Sequence, residues 1–149
     1  MKTTMKRYAL MASAVFLYAS ATSALAADVS PLGVWVMTDG RVTVRVHGCS
    51  STLCGNIAAL KEPKSKIDGK PKVDRENPEP ALRKRPLIGL AVMIGMKSGG
   101  AGTWTGEIYN PDDGKTYSAS MTLAGRNNMN VKACVVGILC KTNKFVRLN

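Results

Sequence analysis

The sequence TWTGEIYNPDDGKTYSASMTL at residues 103–123 is the clearest indication of the fold. In the second half of this stretch Tyr117, Ala119 and Met121 alternate with serine and threonine. Such a period of two is typical of a β-strand with one face in the core and one in solvent. The preceding Asn-Pro-Asp-Asp-Gly at residues 110–114 consists of turn formers. The stretch therefore predicts two antiparallel strands joined by a tight turn.

On both sides of this hairpin, the same kind of pattern recurs along most of the chain. Further strands are predicted at residues 33–37, 41–47, 55–60, 87–96, 129–133 and 144–148. Short strands joined by short turns indicate an all-β domain, and we expect a small antiparallel up-and-down β-barrel. A two-sheet sandwich is the alternative. An eight-stranded barrel has an interior that is either packed solid or large enough for one small ligand.

One segment breaks the strand pattern. Residues 61–86 hold five of the seven prolines and nine lysines or arginines against five acidic residues. We expect a long, charged, proline-rich surface loop with one helical turn near residues 80–83. Its length is unusual for a small domain, so it is either a functional lid or a tolerated insertion.

The N-terminus has the pattern of a secretory signal peptide at residues 1–26. A basic head precedes an uncharged apolar run at residues 8–18, and Ala-Leu-Ala at residues 24–26 is a small-x-small cleavage pattern. The apolar run is shorter than the roughly 20 residues of a membrane-spanning helix. We therefore expect a periplasmic or secreted β-barrel domain at residues 27–149, without a transmembrane anchor after cleavage.

The charge of the chain restricts its partners. The formal net charge of +11 falls to +8 when the three basic residues of the predicted signal are removed. A basic exported domain favours anionic lipid headgroups, acidic polysaccharide or an acidic protein. Nucleic acid is not an expected partner outside the cytoplasm. The 123 residues that follow the predicted signal suffice for one domain with one core.

The four cysteines lie in two short segments, Cys49 to Cys54 and Cys134 to Cys140. An even number in an exported chain indicates two disulfides, and the local pairing within each segment is the favoured connectivity. A zinc site made of four thiolates is the alternative, but the second spacing is wider than the usual knuckle. We expect no metal.

Several of these segments, taken in order, resemble the DUF2147 family of small exported bacterial proteins. The Ile-Tyr-Asn-Pro-Asp-Asp-Gly-Lys-Thr-Tyr stretch with the preceding Trp104 is the most specific of them. The other matching pieces are Gly33-Val-Trp35, Leu-Cys-Gly at residues 53–55, Asn77-Pro78, Leu-Arg-Lys-Arg-Pro-Leu at residues 82–87 and the segment from Cys134 to Cys140. The resemblance implies a lipocalin-like or calycin-like barrel and no assigned activity. Ala133 and Phe145 depart from it, because the family commonly has glycine and tryptophan there.

Residues suited to catalysis are few. The only histidine, His47, is predicted on a strand and is expected at the surface or rim. No serine lies in a nucleophile elbow, and the cysteines are expected to be oxidised. We therefore expect a protein that is not an enzyme and that has no cofactor.

Binding is the more plausible role. Our first hypothesis is a small apolar or amphipathic ligand held in the barrel, with its anionic end at the basic cluster of residues 83–85. The candidate ligand-binding residues are Trp35, Trp104, Tyr109, Tyr117, Arg83 and Arg85. Simple core packing is the alternative role for the tryptophans. The alternative function is a solid barrel that docks on an acidic envelope component through the basic loop, and an enzyme of unknown type is the third possibility.

Overall fold

The computed structural model describes residues 29–136 and 138–148, and in these residues eight antiparallel strands form a closed barrel. Each strand pairs with the next, and β8 pairs with β1 to close the sheet. The strands are β1 Gly33–Met37, β2 Val42–Cys49, β3 Thr52–Leu60, β4 Ala91–Gly100, β5 Thr103–Asn110, β6 Lys115–Leu123, β7 Asn128–Val135 and β8 Leu139–Arg147. The prediction of an all-β, up-and-down antiparallel barrel is confirmed.

The alternation in β6 explains how the barrel acquires its core. Met121 lies opposite Trp104 on β5 and opposite Val131 on β7. Side chains of directly paired residues share one face of a sheet, so these three point into the barrel. Met121 and Val131 are buried, and Trp104 is partly buried against the core. The serines and threonines between the inward residues of β6 occupy the other face.

Several predicted strand boundaries are wrong: β3 begins at Thr52 rather than at residue 55, and β4 ends at Gly100 rather than at residue 96. Two others bear on the site. The last strand begins at Leu139 rather than at residue 144, because the disulfide hairpin pairs Cys134 with Cys140 and starts the ladder early. At the start of β4, residues 87–90 precede the strand instead of belonging to it. The amide of Leu90 donates to the carbonyl of Leu87 in a turn, and Gly89 has a φ of 90°, a left-handed conformation that interrupts a strand.

Because the strands run up and down, the turns alternate between two ends of the barrel. The β2–β3, β4–β5 and β6–β7 turns lie at one end together with residues 29–32, and we call it the closed end. The β1–β2, β5–β6 and β7–β8 turns lie at the other, which we call the open end. The predicted loop leaves β3 at the open end and continues to residue 90. We call residues 61–90 the strap. Its predicted helical turn is a 3-10 turn at Pro80–Leu82.

Both predicted disulfides are present, Cys49–Cys54 in the β2–β3 turn and Cys134–Cys140 in the β7–β8 hairpin. The predicted signal peptide at residues 1–26 lies outside the described residues. In the part of the chain that the structure describes, no helix is long and apolar enough to cross a membrane.

Candidate functional site

The barrel encloses a cavity of about 880 Å³ that opens at the open end. Its wall is mainly aliphatic and aromatic, because the inward residues of the strands line it. The apolar wall residues include Met37, Val42, Val44, Ile57, Leu60, Val92, Met93, Ile108, Val131, Ala133 and Phe145. The cavity is within the range of roughly 300–1,000 Å³ that is usual for small-molecule sites. The barrel therefore holds space for a ligand in addition to a packed core.

Charged side chains surround the cavity mouth. Four are cationic and three are anionic: Arg41, Lys61, Lys72 and Lys141, and Glu62, Asp112 and Asp113. Lys141 lies directly opposite the inward Ala133, so the sheet register directs its side chain toward the cavity. Of the ion pairs found within residues 29–136 and 138–148, none involves Lys141. The mouth thus presents a cation without an ion-pair partner above an apolar interior.

Tyr117 and Asp113 form a hydrogen bond at the mouth. The Tyr117 hydroxyl donates to Asp113 Oδ2 at 2.5 Å, and the Lys115 amide donates to Asp113 Oδ1 at 3.0 Å. Burial raises the pKa of Asp113, but these hydrogen bonds outweigh it, and the net pKa lies below the usual value. The same bond raises the pKa of Tyr117. Asp113 is therefore an ionised acceptor at neutral pH, already paired with Tyr117.

The strap forms part of the cavity wall. Lys61, Glu62, Lys72 and Leu87 all line the cavity. The amide of Leu87 donates to the carbonyl of Lys72, and the amide of Gly89 donates to the carbonyl of Ile57 on β3. The strap is therefore held in place by backbone hydrogen bonds and forms one side of the mouth.

A buried carboxylate fastens the strap to β5. Asp74 is fully buried, and its Oδ1 accepts a hydrogen bond from the Tyr109 hydroxyl at 2.6 Å. Its Oδ2 accepts from Asn77 Nδ2 at 2.8 Å and from Arg85 Nε at 2.9 Å. Asn77 Nδ2 also lies 2.9 Å from the Tyr109 hydroxyl. We call these four residues the strap clip.

The strap clip keeps its carboxylate ionised. Burial raises the pKa of Asp74, but the hydrogen bonds from Tyr109, Asn77 and Arg85 and the charge of Arg85 together lower it. The pKa of Tyr109 is raised by burial and by its bond to Asp74. An ionised Asp74 with its partners in place is a satisfied buried charge, so the clip holds the strap at neutral pH.

The close fit of the strap also depends on Gly114 in the β5–β6 turn. Gly114 has a φ of 68°, and a Cβ atom there would overlap the carbonyl of Glu76 in the strap. Glycine is therefore required at this position for both conformation and space.

The six predicted binding residues fall into three pairs, of which the tyrosines and the arginines lie at the open end. Tyr109 and Tyr117 line the cavity. Arg83 and Arg85 are held within the strap: Arg83 Nε donates to the carbonyl of Asn77 at 2.7 Å, and Arg85 Nη2 lies 2.8 Å from Asp74 Oδ2. The structure thus brings the two tyrosines to the cavity and engages the two arginines in contacts within the strap.

The two tryptophans lie toward the closed end. Trp35 is fully buried, its indole N–H donates to the carbonyl of Pro31 at 2.8 Å, and the Arg147 guanidinium lies 4.1 Å from its ring centroid. Trp104 packs against the core opposite Met121. Neither contributes to the cavity lining described above. The predicted surface position of His47 is confirmed: it is exposed, and its Nε2 lies 2.8 Å from Asn56 Oδ1.

Comparisons with known proteins agree with this architecture. The family model for an uncharacterized protein conserved in bacteria, DUF2147, matches residues 33–147. The chain belongs to the DUF2147 family. Among solved structures it is similar to HP1028 from Helicobacter pylori, described as a member of the lipocalin family, with a TM-score of 0.68 and 22% identity over 81% of this chain and 84% of that chain. No curated protein matches the sequence.

The two departures from the DUF2147 pattern noted in the sequence have a common location. Ala133 and Phe145 both line the cavity. Replacing a tryptophan by phenylalanine enlarges the space, and replacing a glycine by alanine reduces it slightly. Both side chains therefore contribute to the shape of the cavity.

Sequence reasoning missed three residues that shape the site: Asp74, Asn77 and Lys141. Asn77 was among the pieces that carried the family resemblance, and Asp74 lies three residues before it. The other two residues of the clip, Tyr109 and Arg85, were predicted as ligand-binding residues. Lys141 was missed because the last strand was predicted to begin at residue 144. Extending its period of two backward from Phe145 would have placed Lys141 on the inward face.

Proposed function

We propose that this DUF2147 protein is an exported binding protein for a small amphipathic ligand, held in the barrel with its anionic end at the mouth. The observation that supports this most directly is the cavity of about 880 Å³ with an apolar wall and a cationic residue at its opening. Apolar pockets with a few well-placed polar groups are typical of small-molecule sites. The two disulfides support export, because such bonds persist in oxidising compartments. We assign no reaction and no cofactor to the protein.

The buried wall of the cavity suits an aliphatic chain. Val44, Ile57, Met93 and Val131 are almost fully buried and line the cavity. Burial of a ligand's apolar surface against them contributes about 25 cal/mol per Å². Met93 adds a flexible side chain that can adapt to different ligand shapes.

Lys141 is the residue that we assign to the anionic end of the ligand. The charge of Lys141 contributes to lowering the pKa of Asp39, and Asp39 is itself paired with Arg41 at 2.6 Å. Lys72, from the strap, lines the same mouth. This assignment replaces the basic cluster of residues 83–85, because Arg83 and Arg85 already make the contacts that hold the strap.

The test uses a fluorescent polyene fatty acid and its methyl ester as probes. The protein is purified in its oxidised form from an exporting host and stripped of lipid before titration. We expect the fatty acid to bind with a rise in fluorescence. Lys141→Gln should weaken fatty-acid binding about three- to fivefold, as expected for an exposed charge pair, and leave methyl-ester binding nearly unchanged.

Two further variants test where the ligand lies. Ala133→Phe places a ring in the cavity and should abolish binding of both probes. Lys132→Gln is the matched control, because Lys132 is the exposed neighbour on the outer face of β7, and it should bind like the parent. Binding of neither probe, or binding that survives Ala133→Phe, would overturn the proposal.

A further inference from the structure

The β7–β8 hairpin ends in an exposed aliphatic tip, which we define as Val135, Val136, Ile138 and Leu139. Val136, Ile138 and Leu139 are 87%, 86% and 75% exposed, and Val135 is 45% exposed. Single exposed aliphatic residues are ordinary, but four such residues at one turn form a contiguous patch. Such a patch indicates a surface that contacts another apolar phase or a partner.

The covalent structure of the hairpin keeps this tip projecting. Cys134 and Cys140 are both paired in the β-ladder and joined by a disulfide, and Val135 pairs with Leu139 directly beyond them. The strands are therefore fixed up to the last residues before the turn. Val135 and Leu139 also line the cavity mouth, so the aliphatic tip stands at the opening of the barrel.

A further exposed aliphatic residue, Ile67, belongs to the strap and has three lysines and one aspartate, Asp68, near it in the sequence. Residues 64–71 form a small hairpin through the bridge of Lys64 with Pro71, and Ile67 near its turn is 87% exposed. Lys64, Lys66 and Lys70 lie within three residues of Ile67, and Lys66 pairs with Glu62 at 3.3 Å. Glu62 and Lys72, on either side of this hairpin, line the cavity mouth.

We propose that the open end docks on a lipid bilayer with anionic headgroups, with the aliphatic tip inserted and the lysines of the strap hairpin against the headgroups. Aliphatic side chains partition into the boundary between headgroups and acyl chains, and lysines are attracted to anionic lipid. The mature sequence carries a net charge of +8 if the predicted signal is removed. The combination of a projecting aliphatic turn and neighbouring cations matches the layered chemistry of such a surface.

A bilayer fits the patch better than a second protein does. A stable protein interface needs roughly 800 Å² from each partner, and its strongest contacts come from tryptophan, tyrosine and arginine. The aliphatic tip is a narrow turn and has none of these residue types. Insertion into lipid needs only a few apolar side chains together with electrostatic attraction.

Docking in this orientation places the cavity mouth against the membrane. A lipid-like ligand then passes between bilayer and cavity without crossing water, a consequence that rests on the proposed function. The docking itself does not require a ligand, and the Ala133→Phe variant separates the two: it should lose probe binding and keep membrane binding.

The experiment is co-sedimentation of the oxidised protein with sucrose-loaded vesicles of phosphatidylcholine, alone or mixed with phosphatidylglycerol. We expect binding to the anionic vesicles that decreases as salt is added, because salt screens the attraction. The variant Val136→Ser with Ile138→Ser should weaken binding at least about tenfold. Lys64→Gln and Lys70→Gln should each weaken it about fivefold on anionic vesicles.

The matched controls are at the closed end. Leu148→Ser removes a leucine that is 49% exposed, and Arg126→Gln removes a cation from the β6–β7 turn; both should bind like the parent. Equal losses in these controls, or no binding to anionic vesicles, would overturn the proposal. Sedimentation velocity decides the other reading: a dimer that disappears in the Val136→Ser, Ile138→Ser variant, without vesicle binding, would assign the tip to a second copy of the chain.

Discussion

The two ends of the barrel use similar apolar residues for opposite purposes. At the closed end, Trp35, Met121 and Met129 are completely buried in a packed core. At the open end, the apolar wall surrounds a cavity, and Val136 and Ile138 project into solvent. Whether an apolar side chain is buried therefore depends on whether another part of the chain covers that end of the barrel.

The closed end is sealed by one arginine and the segment before β1. Arg147 Nη1 and Nη2 donate to the carbonyls of Leu32 and Ser30, both at 2.6 Å, and its Nε donates to the carbonyl of Arg126 at 3.0 Å. The guanidinium also covers the ring of Trp35, a favourable cation–π arrangement. At the open end, the strap is held by polar contacts at one side of the mouth. Because it does not cover the mouth, the cavity is accessible from this end.

The largest expected effect concerns Trp35. Trp35→Ala removes a fully buried ring and the partner of the Arg147 guanidinium, and the surrounding barrel cannot collapse onto the space. We expect a loss of about 3–5 kcal/mol in the free energy of unfolding. Urea denaturation under non-reducing conditions measures it.

The matched change at the open end is Val136→Ala, because Val136 is almost fully exposed. We expect the free energy of unfolding to change by less than about 0.5 kcal/mol. If Val136→Ala proved as costly as Trp35→Ala, the distinction between a sealed end and an accessible end would be wrong.

The framework of the barrel was predictable from the sequence because it depends on local patterns. The alternation in β6 and the Asn-Pro-Asp-Asp-Gly turn correspond to Lys115–Leu123 and to the β5–β6 turn. The local disulfides were predictable as well, since a cysteine can reach a partner five or six residues away across a tight turn. These features need no knowledge of distant parts of the chain.

The candidate site was less predictable because it depends on contacts between distant segments. Asp74 and Tyr109 are 35 residues apart in the chain and meet only when the strap folds onto β5. Arg83 and Arg85 look like a free basic cluster in the sequence, and only the fold shows that Asp74 and the backbone of Asn77 engage them. The volume of the cavity follows from side chains on all eight strands, which no local window contains.

A smaller effect than that of Trp35→Ala is expected at the strap clip, which is ionic, whereas the closed end is mainly apolar. Asp74→Asn removes the charge that Arg85 and the Tyr109 hydroxyl contact. We expect a loss of about 2 kcal/mol at neutral pH, typical of hydrogen bonds to a charged group. In the Asp74→Asn variant, the backbone amides of the strap should exchange hydrogen faster than those of β1.

The same clip predicts a pH dependence. The fold lowers the pKa of Asp74 below its ordinary value of 3.8. Its contribution is therefore fully present well above pH 3.8 and is lost as the pH falls through the lowered pKa. The difference in unfolding free energy between the parent and Asp74→Asn should stay constant from pH 7 to about pH 5 and shrink below pH 3.8. A difference that persisted unchanged at pH 2 would contradict an ionised clip.

The last expected effect is a difference of about 1 kcal/mol between one valine in each region. Val46 lies toward the closed end, opposite Gly33 and Gly55, whereas Val131 lines the cavity, and both are at least 96% buried. Val46→Ala removes methyl groups that are buried in the hydrophobic core, at a cost of about 2 kcal/mol. Val131→Ala removes methyl groups that already face open space, so fewer dispersion contacts are lost and we expect about 1 kcal/mol.

Urea denaturation of the ligand-free variants measures the difference between the two costs. Adding the fatty acid should raise the cost of Val131→Ala toward that of Val46→Ala, because the bound ligand then supplies the missing contacts. Equal costs in the ligand-free protein would mean that the wall at Val131 is packed as tightly as the closed end.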